Sequence, residues 1–191
     1  MEHRELVVGR QDPLRRHYKT VPRDAWIQDH AETVGGATID PFHGLVIAGS
    51  REEEAWGVGI HRSVGGFHDQ PNPGDVLCAA LASCMDTTLR MLAARLRISI
   101  VELTVRVTGD IDVRGTLAVS QEVQVGFQQL HCALDLEVGE GVAQEAVDRL
   151  IRATERACVV LQTVRRGVPV SLELADDGLE VSSNMSSGQG G

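Results

Sequence analysis

The stretch from residue 73 to residue 97 constrains the fold more than any other part of this chain. It reads PGDVLCAALASCMDTTLRMLAARLR, and its larger apolar residues recur at helical spacing. Asn72 suits the cap of such a helix, Pro73 its first position, and Asp75 the positive end of its dipole. Because small side chains lie on nearly every side, neighbours can approach closely all round. The pattern predicts a central, buried helix.

Alternating apolar and polar residues predict strands on both sides of this helix. The alternation runs through residues 34–62, then 98–109, and most clearly 127–138. Residues 142–156 have the spacing of an amphipathic helix, which residues 158–166 (CVVLQTVRR) either continue or restart before Gly167. Residues 168–174 (VPVSLEL) predict a last strand. The order of strands and helices predicts an α+β fold.

Three regions follow from these patterns. Residues 1–33 are charged and irregular and are predicted to form an N-terminal arm with one short helix around Leu14 to Lys19. Residues 34–174 form the folded domain. Residues 175–191 lack a core-forming pattern and are predicted to be a flexible tail, disordered beyond about Val181.

The composition excludes several classes of protein. Of 191 residues, 42% are hydrophobic, which is enough for a core, and the net charge is -9. No apolar run reaches the ~18 residues that span a bilayer, and the first residues lack the apolar segment of a signal peptide. An acidic chain with 3% aromatic residues repels phosphate. We therefore expect a cytoplasmic domain that binds neither membrane nor nucleic acid.

The four cysteines are Cys78, Cys84, Cys132 and Cys158. None forms a CxxC pair, so the usual zinc and thioredoxin spacings are absent and no metal is predicted. Cys78 and Cys84 are six residues apart, about 240° round a helix, and are not expected to share a site. We interpret Cys78, and Cys132 on the apolar face of its strand, as packing residues.

One motif resembles a known family. The segment NPGDVLCAALASCMDTTLRMLAAR resembles the signature helix of the OsmC/Ohr family, whose usual form is N-P-E-x-L-x-A-A-x-x-A-x-C. The stretch from GDIDVRG to ERACVVLQTVRRGVPV resembles the second segment of that family, and the resemblance covers roughly residues 34–174. It implies an intertwined homodimer whose two central helices are wrapped by antiparallel sheets from both chains. It also implies thiol-dependent reduction of organic hydroperoxides without a cofactor, with an external dithiol, such as a lipoylated protein, as reductant.

The resemblance also implies roles for individual residues. Cys84 falls on the peroxidatic cysteine of the family and Cys158 on its resolving cysteine, 74 residues further on. The active-site Glu of the family falls at Gly74, so Asp75 is the nearest carboxylate. Val159 stands where the family often has Pro.

The chemistry requires an activated thiol, because only the thiolate attacks a peroxide. Cys84 lies about three turns into its helix, beyond the reach of that helix's N-terminus, and burial alone raises a thiol pKa. A nearby cation is therefore expected. Arg51 and Arg62 are the candidates, with Asp75 orienting the guanidinium. Two histidines are weaker candidates, His61 and His68.

Three kinds of function remain open from the sequence. The first is a thiol peroxidase acting on organic hydroperoxides. The second is a non-enzymatic member of the same fold that binds a small apolar ligand or senses oxidation through a disulfide. The third is a purely structural dimer with buried thiols.

Overall fold

The chain forms two antiparallel sheets, and the two-stranded one packs against the longest apolar helix in the sequence. The computed structural model describes residues 2–35, 40–49 and 54–174. Its strands are β1 (Ala31–Thr33), β2 (His43–Ala48), β3 (Trp56–Gly59), β4 (Ile100–Ile111) and β5 (Phe127–Val138). Its helices are α1 (Glu2–Thr20), α2 (Pro73–Leu96), α3 (Val113–Thr116), α4 (Gln144–Ala157) and α5 (Val159–Arg166), with 3₁₀ turns at Pro22–Ala25 and Arg62–Val64. The predicted α+β class is confirmed.

The start of α2 is fixed by a capping box. The Asn72 side chain accepts hydrogen bonds from the N–H groups of Gly74 and Asp75, and the Asp75 carboxylate accepts one from the Asn72 N–H. These bonds satisfy donors that the first helical turn leaves without partners. The helix begins at Pro73 and ends at Leu96, within one residue of the predicted bounds.

The hydrophobic core forms where α2 meets β4 and α4. β4 and β5 pair in antiparallel register, with Leu103 opposite Leu136 and Val105 opposite Leu134. Their apolar face packs on α2, where Leu89 is completely buried, as is Leu150 of α4. Period-two alternation thus supplies one wall of the core and the helical stripe supplies the other.

α2 is less enclosed than its sequence predicts. A strip of small or flexible residues along it is exposed to solvent in the single chain: Ala79, Ala80, Ser83, Thr87 and Met91. By length and composition α2 is the one helix in the described residues that would pass as a membrane span. Its contacts with α1, β4, α4 and α5 are those of a core helix.

The last predicted strand is not formed within one chain. Residues 167–174 are extended but pair with neither sheet, and Val170, Leu172 and Leu174 are 88–97% exposed. A strand needs a neighbour for its backbone N–H and C=O groups, and no described part of the chain provides one. Residues 175–191 lie outside the described residues.

The N-terminal region contains more helix than predicted. α1 runs through Pro13, whereas a short helix was expected only around Leu14 to Lys19. An ion pair between Asp12 and Arg95 of α2, with 2.8 Å between Oδ1 and Nη2, holds α1 against the core helix. β1 then begins at Ala31, before the predicted boundary at residue 34.

Candidate active site

The structure brings Cys84 of α2 and Cys158 together. Both belong to one apolar cluster built on Leu81, Met85 and Leu161, in which Cys158 is completely buried and Cys84 half-buried. The Cys158 thiol hydrogen-bonds to the Cys84 sulfur, and both cysteines are free thiols. Two cysteines far apart in sequence therefore form one site.

A break between α4 and α5 shapes this site. The Cys158 N–H donates to the Thr154 carbonyl and closes α4, while the Cys158 carbonyl accepts from Gln162 and opens α5. Between these bonds Cys158 has an extended backbone, with ψ at 110°. The sequence left open whether the helix continues or restarts here, and it restarts. The N–H groups of Val159 and Val160, the first of α5, consequently have no carbonyl partner within the helix.

These two N–H groups are among the donors that lower the pKa of Cys84. Burial raises the pKa of Cys84, but hydrogen bonds from the Val160 N–H, the Cys158 thiol, the Val159 N–H and the Thr88 hydroxyl outweigh it and lower the pKa below its ordinary value. Hydrogen bonds to the charged form of a group favour that form. Cys84 therefore occupies a small anion site at the N-terminus of α5.

Cys158 has the opposite electrostatics. Burial is the main cause that raises its pKa to about 11, opposed by the Leu161 N–H and reinforced by the neighbouring Cys84. Cys158 therefore stays protonated near neutral pH. The pair is asymmetric, because the pKa of Cys84 is lowered and that of Cys158 is raised.

Among the described residues of a single chain, backbone and hydroxyl donors act on the pKa of Cys84, and the expected cation beside it stays a prediction. None of the groups with the largest effect on the pKa of Cys84 is a cation. Arg62 lies in the 3₁₀ turn that borders a separate cavity, on the face of α2 that carries Asp75 and Cys78. Arg51 lies outside the described residues. The dipole of α2 does not reach Cys84, as the sequence indicated, but the N-terminus of a different helix does.

Asp75 belongs to the cap of α2. Its carboxylate binds the Asn72 backbone N–H and side-chain amide, and within the described residues it makes no ion pair with an arginine. Gly74, at the position where the family has Glu, packs against the Phe127 ring, and an added Cβ there would lie 3.3 Å from the ring. In this structure Asp75 therefore caps α2, and Gly74 packs against Phe127.

The other two cysteines are separate from the pair. Burial raises the pKa of Cys78, assisted by the charge of Asp75, and burial raises the pKa of Cys132 against the opposing charge of Arg165. Both remain thiols near neutral pH, which fits packing residues. In the ranges that the structure describes, no group of three or more His, Cys, Asp or Glu side chains is arranged to hold a metal ion.

A cavity of about 530 Å³ adjoins the thiol cluster. Leu81, Met85 and Leu161 line it from the cluster side, and Phe127 and Leu130 of β5 line the other side. A second cavity, of about 900 Å³, is lined by Cys78 and Ala82 of α2 and shares Phe127 with the first. The first is within the size range of small-molecule sites and has mainly apolar walls near the thiols.

Sequence reasoning missed two parts of this site, the α5 N–H groups and Thr88. Thr88 lies one helical turn after Cys84 and is buried, and its hydroxyl contributes to the lowered pKa of Cys84. The available signal was the position of Cys158 immediately before the amphipathic run VVLQTVRR, which is the N-cap position of a new helix.

This fold is shared with solved structures. An OsmC-like protein from Mycoplasma pneumoniae matches with a TM-score of 0.58 at 13% identity, over 74% of this chain and 89% of that one. An organic hydroperoxide resistance protein from Elizabethkingia anophelis matches at 0.55 and 22%, over 76% and 94%. An organic hydroperoxide resistance protein OsmC from Legionella pneumophila matches at 0.54 and 21%, over 76% and 95%. At these identities the likeness establishes the fold.

The family follows from the sequence match. The family described as OsmC-like protein matches residues 66–173, a span that includes α2, β4, β5, α4, α5 and both cysteines of the pair. This chain belongs to the OsmC-like family, as its helix motif indicated. No curated protein matches it.

Proposed function

We propose that this protein is a thiol-dependent peroxidase that reduces organic hydroperoxides, with Cys84 as the attacking thiolate and Cys158 as the resolving thiol. The observation that carries the proposal is the contact between two thiols whose pKa values are shifted in opposite directions. A peroxidase of this type needs one thiolate to attack and a second thiol to resolve the product.

The first step consumes the hydroperoxide. The Cys84 thiolate attacks the distal peroxide oxygen, the O–O bond breaks, and the alkoxide leaves and takes up a proton as the alcohol. Cys84 becomes a sulfenic acid, a two-electron oxidation. The N–H groups of Val159 and Val160 stabilise the thiolate before this step.

The second step forms the disulfide. Conversion of Cys84 to the neutral sulfenic acid removes the negative charge that helps to raise the pKa of Cys158. Cys158 then loses its proton more readily and attacks the Cys84 sulfur, expelling the sulfenic oxygen as water. An external dithiol, for which a lipoylated protein is our candidate, returns two electrons and two protons and is itself oxidised to a disulfide.

The surroundings of the thiols favour organic substrates over hydrogen peroxide. Leu81, Met85 and Leu161 surround the pair and also line the adjoining cavity. An apolar wall favours the hydrocarbon part of an organic hydroperoxide.

We propose that the working form is an intertwined homodimer. Two exposed surfaces support this: the strip of small or flexible residues on α2 and the unpaired segment 167–174 with its exposed Val and Leu side chains. Exchange of this segment would give each copy a strand neighbour that the single chain lacks. We expect an interface larger than ~2,000 Å², and a monodisperse 20.6 kDa species in light scattering would contradict it. The free thiol pair also leads us to propose a reducing, cytoplasmic location.

A thiol titration before and after cumene hydroperoxide tests the function. Repeated consumption of peroxide in the presence of a small dithiol supports a peroxidase. Loss of two thiols in a single event, without turnover, indicates a sensor. Unchanged thiols indicate that the pair is structural and overturn the proposal.

A second candidate is a non-enzymatic protein that binds a small apolar ligand or senses oxidation. The observation that favours it is the apolar packing at Gly74, together with the lack of a cation among the groups that act most strongly on Cys84. The larger cavity beside Cys78 would then hold the ligand. Binding of an apolar dye there without peroxide turnover would favour this alternative.

A further inference from the structure

Phe127 lies between the two cavities described above. It contributes to the wall of the cavity of about 530 Å³ beside the thiol cluster and to the wall of the cavity of about 900 Å³ beside Cys78. The other residues of the two walls are different. Phe127 is therefore the side chain at which the two spaces meet.

A β-bulge turns Phe127 toward the interior. Strict alternation from Leu130 would place residue 127 on the outer face of β5. Between Gln129 and Phe127, however, the register with β4 shifts, and Gln128 becomes an extra residue on β5. Phe127 consequently lies opposite Ile111 of β4, on the face of the sheet that packs against α2.

Two glycines leave room for the Phe127 ring at this position. A Cβ added at Gly109 of β4 would overlap the ring, and a Cβ added at Gly74 of α2 would lie 3.3 Å from it. The ring thus fills the space between β4 and the first turn of α2. Since the family motif has Glu where this chain has Gly74, the packing of the ring on this turn is a feature of this chain.

The smaller cavity leads from the thiol cluster to Phe127. Leu81, Met85 and Leu161 belong to the cluster that contains Cys84 and also line this cavity. Phe127 lies on the side of the cavity away from these three residues. The hydrocarbon part of a hydroperoxide whose peroxide group meets Cys84 would therefore extend along the cavity toward the Phe127 ring.

The space on the other side of Phe127 is larger and mainly apolar. Its wall includes five aliphatic residues: Ile60, Val64, Ala82, Val107 and Ile111. A hydrocarbon chain that passed the ring would bury further methylene groups there, and each buried methylene group favours binding. A chain stopped by the ring would gain none of this contact.

We propose that Phe127 is a specificity-determining residue that closes the smaller cavity and so selects compact organic hydroperoxides over those with a long unbranched chain; this rests on the proposed peroxidase function. A compact substrate fits within the smaller cavity in either case. A long chain requires the space that the ring occupies, so its binding depends on residue 127.

The test compares hexyl hydroperoxide with dodecyl hydroperoxide, with dithiothreitol as reductant. We expect Phe127→Ala to raise kcat/KM for the dodecyl compound, relative to that for the hexyl compound, by at least about tenfold. One further methylene group in an apolar pocket is worth about this factor. The matched control is Phe67→Ala, which removes the same ring at a position that lines neither cavity and should leave the ratio unchanged.

Two further variants examine the cause of the effect. Phe127→Leu keeps an apolar side chain and should give a smaller increase. Ala82→Leu, added to Phe127→Ala, fills part of the larger cavity and should remove the increase. An unchanged ratio in Phe127→Ala would overturn the inference, as would an increase that persists in the double variant. If circular dichroism shows that Phe127→Ala has lost its native structure, an unchanged ratio in Phe127→Leu overturns it.

The same measurements separate this inference from the proposed function. If the wild-type protein consumes neither hydroperoxide repeatedly, the peroxidase proposal itself fails. If it turns over hexyl hydroperoxide and the substitutions at Phe127 do not change the ratio, only the inference about Phe127 fails.

Discussion

The thiols of Cys84 and Cys158 touch, yet their pKa values are shifted in opposite directions. Cys84 receives hydrogen bonds from the first N–H groups of α5, whereas Cys158 is buried and faces a negative neighbour. One helix break accounts for both effects, since it exposes the N–H groups of Val159 and Val160 and places Cys158 at the end of α4.

Alkylation should distinguish the thiols. We expect iodoacetamide at pH 7 to modify Cys84 before Cys78 or Cys132, because its lowered pKa leaves more thiolate while theirs are raised. The rate at Cys84 should increase with pH and level off at a lower pH than the rates at Cys78 and Cys132. Peptide mapping by mass spectrometry gives each rate. Modification of Cys78 as fast as Cys84 would contradict the assigned asymmetry.

Replacement of Thr88 should make the Cys84 thiolate less stable relative to the thiol. Thr88→Val keeps the shape of a buried side chain but removes the hydroxyl that donates to Cys84. A hydrogen bond to the charged form of a group favours that form, so the pKa of Cys84 should rise. The pH profile of alkylation measures it. Thr87→Val, one residue away on the exposed side, should leave the profile unchanged.

Single cysteine variants should separate attack from resolution. Cys84→Ser should abolish hydroperoxide consumption, because a hydroxyl is not ionised at neutral pH. Cys158→Ser should retain the first oxidation and accumulate a sulfenic acid, which a dimedone adduct detects by mass. Cys78→Ser is the control and should turn over normally. An active Cys84→Ser variant would assign the chemistry to another residue.

Much of this fold could be predicted because its signals are local. The cap residues and spacing of α2 define its ends, and strict alternation defines β5 at 127–138. The last strand could not be judged in the same way, since residues 168–174 have strand periodicity but no partner in their own chain. α1 exceeded its prediction because its contact with Arg95 is a tertiary one, which the local sequence does not reveal.

The candidate site could also be predicted only in part from the sequence. The two cysteines could be predicted as a pair, because the sequences around Cys84 and Cys158 resemble two segments of the family. The activating groups could not, because backbone N–H groups carry no side-chain signature and their position depends on how α5 packs against α2.

Packing of Phe127 should make Gly109 difficult to replace. A Cβ at Gly109 would lie 2.3 Å from the Phe127 ring and 2.6 Å from Leu130, so one of them must shift. We expect Gly109→Ala to lower the free energy of unfolding by about 1–3 kcal/mol, measured by urea denaturation. Gly9→Ala, with no neighbour within 4 Å, should not destabilise the chain, since alanine is the better helix former.

His43 should make stability depend on pH. Its Nδ1 binds Asp40 at 2.8 Å and its Nε2 binds Asp69 at 3.0 Å, and these bonds raise the pKa of His43 in the folded state. A raised pKa stabilises the fold fully below the unfolded value of ~6.5, and that stabilisation is lost as pH rises through the folded value. The melting temperature of the wild-type protein should therefore fall more between pH 6 and pH 8.5 than the melting temperature of His43→Gln.

The two histidine variants provide the comparison. His131→Gln, at an exposed position of β5, should follow the wild-type pH dependence. If the melting temperatures of His43→Gln and wild type fall equally over this range, Asp40 and Asp69 do not hold His43 as an imidazolium in solution.

Because of the break at Cys158, the stability of the first turn of α5 should depend on the redox state of the two cysteines. A sulfur in a disulfide carries no negative charge, so on oxidation the N–H groups of Val159 and Val160 lose the acceptor that they have in the reduced protein. Their amide protons then exchange faster with solvent, and the first turn of α5 frays more often. Reduction reverses this, so we expect the first turn of α5 to be more ordered in the reduced protein than in the disulfide form.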